Sequence, residues 1–116
     1  MIFFYGYEKC DTCRKAKRWL SDKGIDFNFI DITASPPDAR VLRQALAAGY
    51  PLASLFNRSG ELYREMNIKD RFLKLSQEEA LKLLSGHGKL IKRPIVTDGR
   101  RVTVGFDEKA FAVWTR

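Results

Sequence analysis

The first thirty-one residues constrain the fold more than any other stretch of the chain. Residues 2–5 (IFFY) form a short apolar run closed by Gly6, which reads as a buried strand and its exit. Residues 13–23 place Ala16, Trp19 and Leu20 at helical spacing on one face, with Arg14, Lys15, Lys17 and Arg18 spread over the rest. Asp11 or Thr12 can cap that helix, and Gly24 supplies its stop. Residues 27–31 (FNFID) alternate as a second strand. Strand, helix and strand in so short a span make a βαβ unit, whose two strands run parallel.

The remainder is helical until a closing hairpin. After the proline-bearing loop TASPPD, residues 38–48 carry a helical pattern ending at Gly49. Residues 51–56 read as a short helix with Pro51 in its first turn. NRSGELY turns the chain, and residues 65–74 are compatible with helix or irregular structure. Ser76 opens a capping box with Glu79, and the following helix runs to Gly86. IVTD and RVTVG flank Gly99 as a β-hairpin, and residues 107–114 form a last helix capped by Asp107. A βαβ opening and a ββα ending are the two halves of a thioredoxin-like α/β fold. The expectation is one domain, with a core of about residues 1–35 and 92–116 and a helical insertion of about 36–91. A length of 116 residues suits one domain with its own hydrophobic core.

Cys10 and Cys13 are the only cysteines. A secreted disulfide framework spreads cysteines to close long loops, whereas a bridge between these two would close almost nothing. Chemistry accounts for the pair better than stability. A cysteine at a helix N-terminus faces unpaired backbone N–H groups and the positive end of the dipole, and both favour thiolate, as do neighbouring cations such as Lys9 and Arg14. Cys10 is therefore the candidate nucleophile. Cys13, one turn deeper, is the candidate resolving thiol. Zinc ligation and inert burial fit the pair less well. A zinc site needs two further ligands, and the only histidine, His87, stands in a Gly-His-Gly loop. Two inert core cysteines would place the pair without chemistry.

The formal charge of +7 is compatible with an acidic partner, an oxyanion or nucleic acid, but the lysines and arginines are scattered along the chain. Nucleic-acid binding is not expected. The cluster Arg14, Lys15, Lys17 and Arg18 reads as a solvated helix face, and Phe3, Phe4, Phe27 and Phe29 read as core. No apolar run is long enough to span a membrane, and the opening MIFFYGYEKC is too short and too soon polar for a signal peptide. The cytoplasm is the expected location.

C-D-T-C-R-K-A after the first strand, with K-R-P-I-V and V-G-F-D-E far downstream, resembles the family that joins glutaredoxin-dependent arsenate reductases with Spx-type transcriptional regulators. The resemblance runs from about residue 2 to residue 114. It implies a thioredoxin-like sheet with a helical insertion, a catalytic cysteine at Cys10, and an arginine at Arg93 that steadies an oxyanion or a thiolate. It also implies a cis peptide bond before Pro94, close to the cysteine, with Thr12 and Arg14 beside the site. Arsenate reductases of this type surround the oxyanion with three arginines. Here Asn57 stands at the second position, with Arg58 one residue on, and Gly105 at the third, and Cys13 replaces a usual serine. That pattern points away from arsenate itself. A third branch, short proteins taken to be glutathione-dependent thiol reductases, matches the length of this chain. The implied function is a thiol–disulfide oxidoreductase with no tightly bound cofactor or metal, glutathione as co-substrate and glutaredoxin as a partner. The alternative is an Spx-type redox switch that binds the C-terminal domain of the RNA polymerase α subunit.

Overall fold

The computed structural model describes residues 1–116. Strand β1 (Phe3–Gly6), helix α1 (Asp11–Asp22) and strand β2 (Asn28–Asp31) make the βαβ unit, with β1 and β2 parallel and Phe4 opposite Phe29. Helices α2 (Ala39–Ala47), α3 (Glu61–Glu65), α4 (Ile68–Arg71) and α5 (Gln77–Gly86) follow, interspersed with 3-10 turns. Strand β3 (Ile95–Thr97) then pairs antiparallel with the other edge of β1, and β4 (Val102–Val104) pairs antiparallel with β3. The chain closes with α6 (Glu108–Phe111) and a 3-10 turn over Ala112–Thr115. The sheet order β2-β1-β3-β4, with one parallel and two antiparallel pairings, is the thioredoxin-like arrangement.

The two-residue period of a strand sends neighbouring side chains to opposite faces, and helices cover both. Phe4 and Val96 point to the face where Cys13, Ala16 and Leu20 of α1 pack with Phe111 and Trp114. Ile95 points to the other face, against Leu42 and Ala45 of α2 and Ala80, Leu81 and Leu84 of α5. Each of the large side chains among them contributes about 1.5–3 kcal/mol by leaving water. Buried polar groups are satisfied: the Trp114 indole N–H donates to the Thr103 hydroxyl at 3.2 Å. No helix is long and apolar enough to cross a membrane.

Local signals account for most element ends. Ser76 and Glu79 form both bonds of the capping box, at 3.1 and 2.9 Å, and the Asp107 carboxylate accepts the Lys109 N–H at 3.1 Å. Several expectations need correction. Neither Asp11 nor Thr12 caps α1. The helix begins at Asp11 and its cap is Cys10, whose extended backbone turns the sulfur onto the Cys13 N–H. The turn expected over residues 57–63 ends at Gly60, because Glu61 begins α3, where an acidic first turn suits the helix dipole. Residues 65–74, left open between helix and irregular structure, hold the end of α3 at Glu65, a turn with Asn67 in the left-handed region at φ 54°, then α4 and a 3-10 turn over Phe72–Lys74. Pro51 stands at the cap of the 3-10 turn Leu52–Leu55 rather than within it.

One contact of the helical stretch carries it to the site. Phe56 bridges to Ile91, the Asn57 N–H donates to the Leu90 carbonyl at 2.6 Å, and the Lys92 N–H donates to the Leu55 carbonyl at 2.8 Å. These bonds hold residues 55–57 beside the segment that leads through Arg93 into β3.

Candidate active site

Cys10 follows β1 and opens α1, so its position is fixed from both sides. Its N–H donates to the Tyr7 carbonyl at 3.1 Å, its carbonyl accepts the Arg14 N–H at 3.0 Å, and its sulfur accepts the Cys13 N–H at 3.4 Å. The Cys10 side chain is half-buried, and both cysteines are free thiols. Burial is the largest influence on Cys10 and opposes the thiolate. The Cys13 N–H, the Cys13 thiol and the nearby Arg93 guanidinium together outweigh it and hold the Cys10 thiol below the ordinary range.

Cys13 behaves in the opposite way. It is completely buried against Phe4 and the sheet. Burial, reinforced by the hydrogen bond and negative charge of Cys10, pushes its thiol up to about 12, against the smaller pull of the Tyr7 N–H and Arg93. Gly6 makes this placement available: a Cβ there would lie 3.2 Å from the Cys13 Sγ and closer still to the Phe4 ring. Two thiols one helical turn apart thus differ sharply in acidity. The more exposed one is the more acidic and gives up its proton first, and the buried one keeps its proton.

Arg93 reaches the site from the opposite end of the chain. The Arg93–Pro94 peptide bond is cis, and the Pro94 carbonyl accepts the Gly105 N–H at 2.8 Å. The guanidinium stands 5.3 Å from the centre of the Tyr7 ring, within cation–π range. Its charge also reaches Asp31 at the end of β2. That carboxylate is held below its usual range chiefly by the Thr33 hydroxyl and N–H, at 2.7 and 2.9 Å.

The other predicted residues divide. Arg14 does not serve the thiolate: its guanidinium donates to the Glu8 carbonyl at 3.0 Å and pairs with Asp11 at 3.4 Å, both on the outer side of the helix. Lys9 is likewise absent from the groups that act on the sulfur. Thr12 is exposed in the first turn, between the two cysteines. Asn57 shares a cavity with Arg93, whereas Arg58 points to solvent outside it. Gly105 takes a positive φ of 76° and lies against the Lys92 side chain, so that position contributes no cation of its own. No group of three or more His, Cys, Asp or Glu side chains gathers as a metal-binding set. Sequence reasoning misses Tyr7, which gives its carbonyl to Cys10, its N–H to Cys13 and its ring to Arg93. Its place three residues before Cys10, at the strand exit, is the only signal that could mark it.

Known proteins resemble the chain along nearly its whole length. The chain is 48% identical over 111 residues to the uncharacterized protein YusI of Bacillus subtilis (strain 168), spanning 95% of this chain and 94% of that protein. It is 30% identical over 110 residues to the global transcriptional regulator Spx 2 of Lactococcus lactis subsp. lactis (strain IL1403), spanning 94% of this chain and 82% of the regulator. The crystal structure of a possible arsenate reductase from Streptococcus mutans UA159 matches with a TM-score of 0.85 and 42% identity, over 91% of each chain. The model of the ArsC family matches residues 5–113, which take in Cys10, Cys13, Arg93 and Pro94, and the chain therefore belongs to the ArsC family.

Proposed function

We propose that the chain is a thiol–disulfide oxidoreductase in which Cys10 is the nucleophile. The observation that carries this reading is the Cys10 sulfur at the cap of α1, facing the Cys13 N–H and Arg93, with its thiol below the ordinary range. The thiolate attacks one sulfur of a disulfide. That S–S bond breaks, a new one forms to Cys10, and the departing sulfur leaves as a thiolate that takes a proton from water. Two thiols can then free Cys10. Cys13 can attack it, losing its own proton, expelling the bound thiol and leaving a Cys10–Cys13 disulfide. A second small thiol can attack instead, leaving with its partner as a small disulfide and restoring the Cys10 thiolate.

Burial and a thiol pushed up to about 12 slow the first route at neutral pH, so the small-thiol route is favoured. Glutathione is the co-substrate proposed for it, and glutaredoxin a partner of the same chemistry. Arg93 steadies the negative sulfur. Of the three positions matched to arsenate-binding arginines only Arg93 is charged, which favours a disulfide over arsenate. The test is to mix the reduced protein with glutathione disulfide and follow adducts by intact mass. In Cys13→Ser a single glutathione adduct on Cys10 is expected to accumulate and to be released by added glutathione. No adduct at any pH between 6 and 9 would overturn the reading.

The likeness to the regulator Spx 2, together with the C-x-x-C pair, favours a second reading. In it, closing the Cys10–Cys13 disulfide withdraws the sulfur anion from α1 and alters docking on the C-terminal domain of the RNA polymerase α subunit. Equal binding of the reduced and oxidised protein to that domain would dispose of it.

A further inference from the structure

A cavity of about 180 Å³ borders Arg93 without including either cysteine in its lining, and it is not accounted for by the sulfur chemistry alone. Tyr7, Thr33, Asn57, Glu61, Lys89 and Arg93 line it. Its charges are of both signs: the carboxylate of Glu61 and the cations of Lys89 and Arg93. None of these three makes an ion pair with another side chain, although Arg93 also faces the Cys10 sulfur and the Tyr7 ring. The ion pairs of the molecule are Arg14–Asp11, Arg43–Glu78 and Arg101–Asp98, all elsewhere. A wholly anionic ligand would meet repulsion from Glu61, and a wholly cationic one from Lys89 and Arg93. A ligand with one ammonium and one carboxylate complements both. The volume falls below the roughly 300–1,000 Å³ of pockets that enclose a drug-sized molecule, so it suits an amino-acid-sized group rather than a nucleotide.

We propose that this cavity binds the amino-acid end, ammonium and carboxylate together, of a small thiol whose sulfur is exchanged at Cys10. This assignment rests on the thiol–disulfide reading above. Lys89 and Arg93 take the carboxylate, Glu61 takes the ammonium, and Asn57, Thr33 and Tyr7 supply neutral hydrogen-bonding groups. Arg93 borders the cavity and also acts on the Cys10 sulfur, so one guanidinium joins the proposed seat to the reacting atom. The substrate is then a mixed disulfide, R–S–S–R′, in which RSH is the zwitterionic thiol. Cys10 takes the RS half, and R′S⁻ leaves and is protonated by water. A second RS⁻ then attacks the bound RS sulfur, releasing R–S–S–R and restoring the Cys10 thiolate. The net change is R–S–S–R′ plus RSH giving R′SH plus R–S–S–R, with the small thiol as reductant.

Calorimetric titration of the reduced wild-type protein tests this without exchange chemistry. The probes are S-methylglutathione and its N-acetyl derivative, which lacks the ammonium. S-methylglutathione is expected to bind about 5-fold or more tightly than the acetylated compound, the range of one charge-assisted contact. Glu61→Gln is expected to erase that difference, and Lys89→Met to weaken both probes about 5-fold. Equal binding of the two probes, or binding of neither, overturns the assignment. Reaction of Cys10 with the uncharged bis(2-hydroxyethyl) disulfide separates the two claims. If that reaction proceeds while the probes show no ammonium preference, only the cavity assignment fails. If Cys10 exchanges with no disulfide at all, the oxidoreductase reading fails with it.

Discussion

Cys10→Ser is expected to lower the rate of disulfide exchange by on the order of 10³-fold or more, because an unactivated hydroxyl cannot replace a thiolate at sulfur. The variant should remain folded. Serine is among the best helix N-cap residues, and its oxygen can accept the Cys13 N–H that the sulfur now holds. Loss of exchange with an unchanged melting curve would separate chemistry from folding. The remaining thiol should not compensate, since Cys13 is completely buried and its thiol is pushed up to about 12. Intact mass after treatment with glutathione disulfide reads the outcome directly: no adduct is expected. An adduct on Cys13 forming as fast as the wild-type adduct on Cys10 would contradict the division of labour between the two sulfurs.

Gly88→Ala has the largest expected effect on stability. Gly88 is buried in the 3-10 turn Gly88–Leu90, and a Cβ there would overlap the carbonyl oxygen of Ile32 and press on Thr33. Both obstacles are main chain just beyond β2, so no side chain can swing aside. The overlap can be relieved only by moving the turn, which also gives the Leu90 carbonyl to Asn57 and carries Lys89. A loss of about 3 kcal/mol or more is expected, read as a fall in melting temperature of roughly 10 °C or more for a chain of this size. A fall of less than about 2 °C would mean that the turn does not seat on the end of β2 as described.

Local features are legible in the sequence, and distant ones are dark. Alternation in FNFID, the Ser76–Glu79 capping box and the Gly99 hairpin each act within a few residues, and the structure places them where those patterns put them. The cap of α1 escapes a reading of periodicity, because apolar spacing marks where a helix starts to bury side chains. It does not mark which atom satisfies the first free N–H. Arg14 stands near Cys10 along the chain, and nearness alone credits it to the thiolate. The fold instead turns it to the Glu8 carbonyl and Asp11, and brings Arg93 across from β3. Only the family resemblance points to Arg93. Glu61 and Lys89 have no signal at all, since nothing in their spacing reveals that α3 and the turn before β3 border one cavity. Pairings of that kind are made by tertiary packing, and a single sequence carries them only implicitly.

The decisive measurement is the rate of Cys10 alkylation by iodoacetamide as a function of pH, in the wild-type protein and in Arg93→Met. Thiolate is the reacting form, so the midpoint of the profile reports the acidity of the sulfur. A wild-type midpoint below about 8.5, the value of an unperturbed cysteine, is expected, with a move up toward or past it when the guanidinium is removed. A wild-type midpoint at or above that value, unmoved in Arg93→Met, would contradict that expectation.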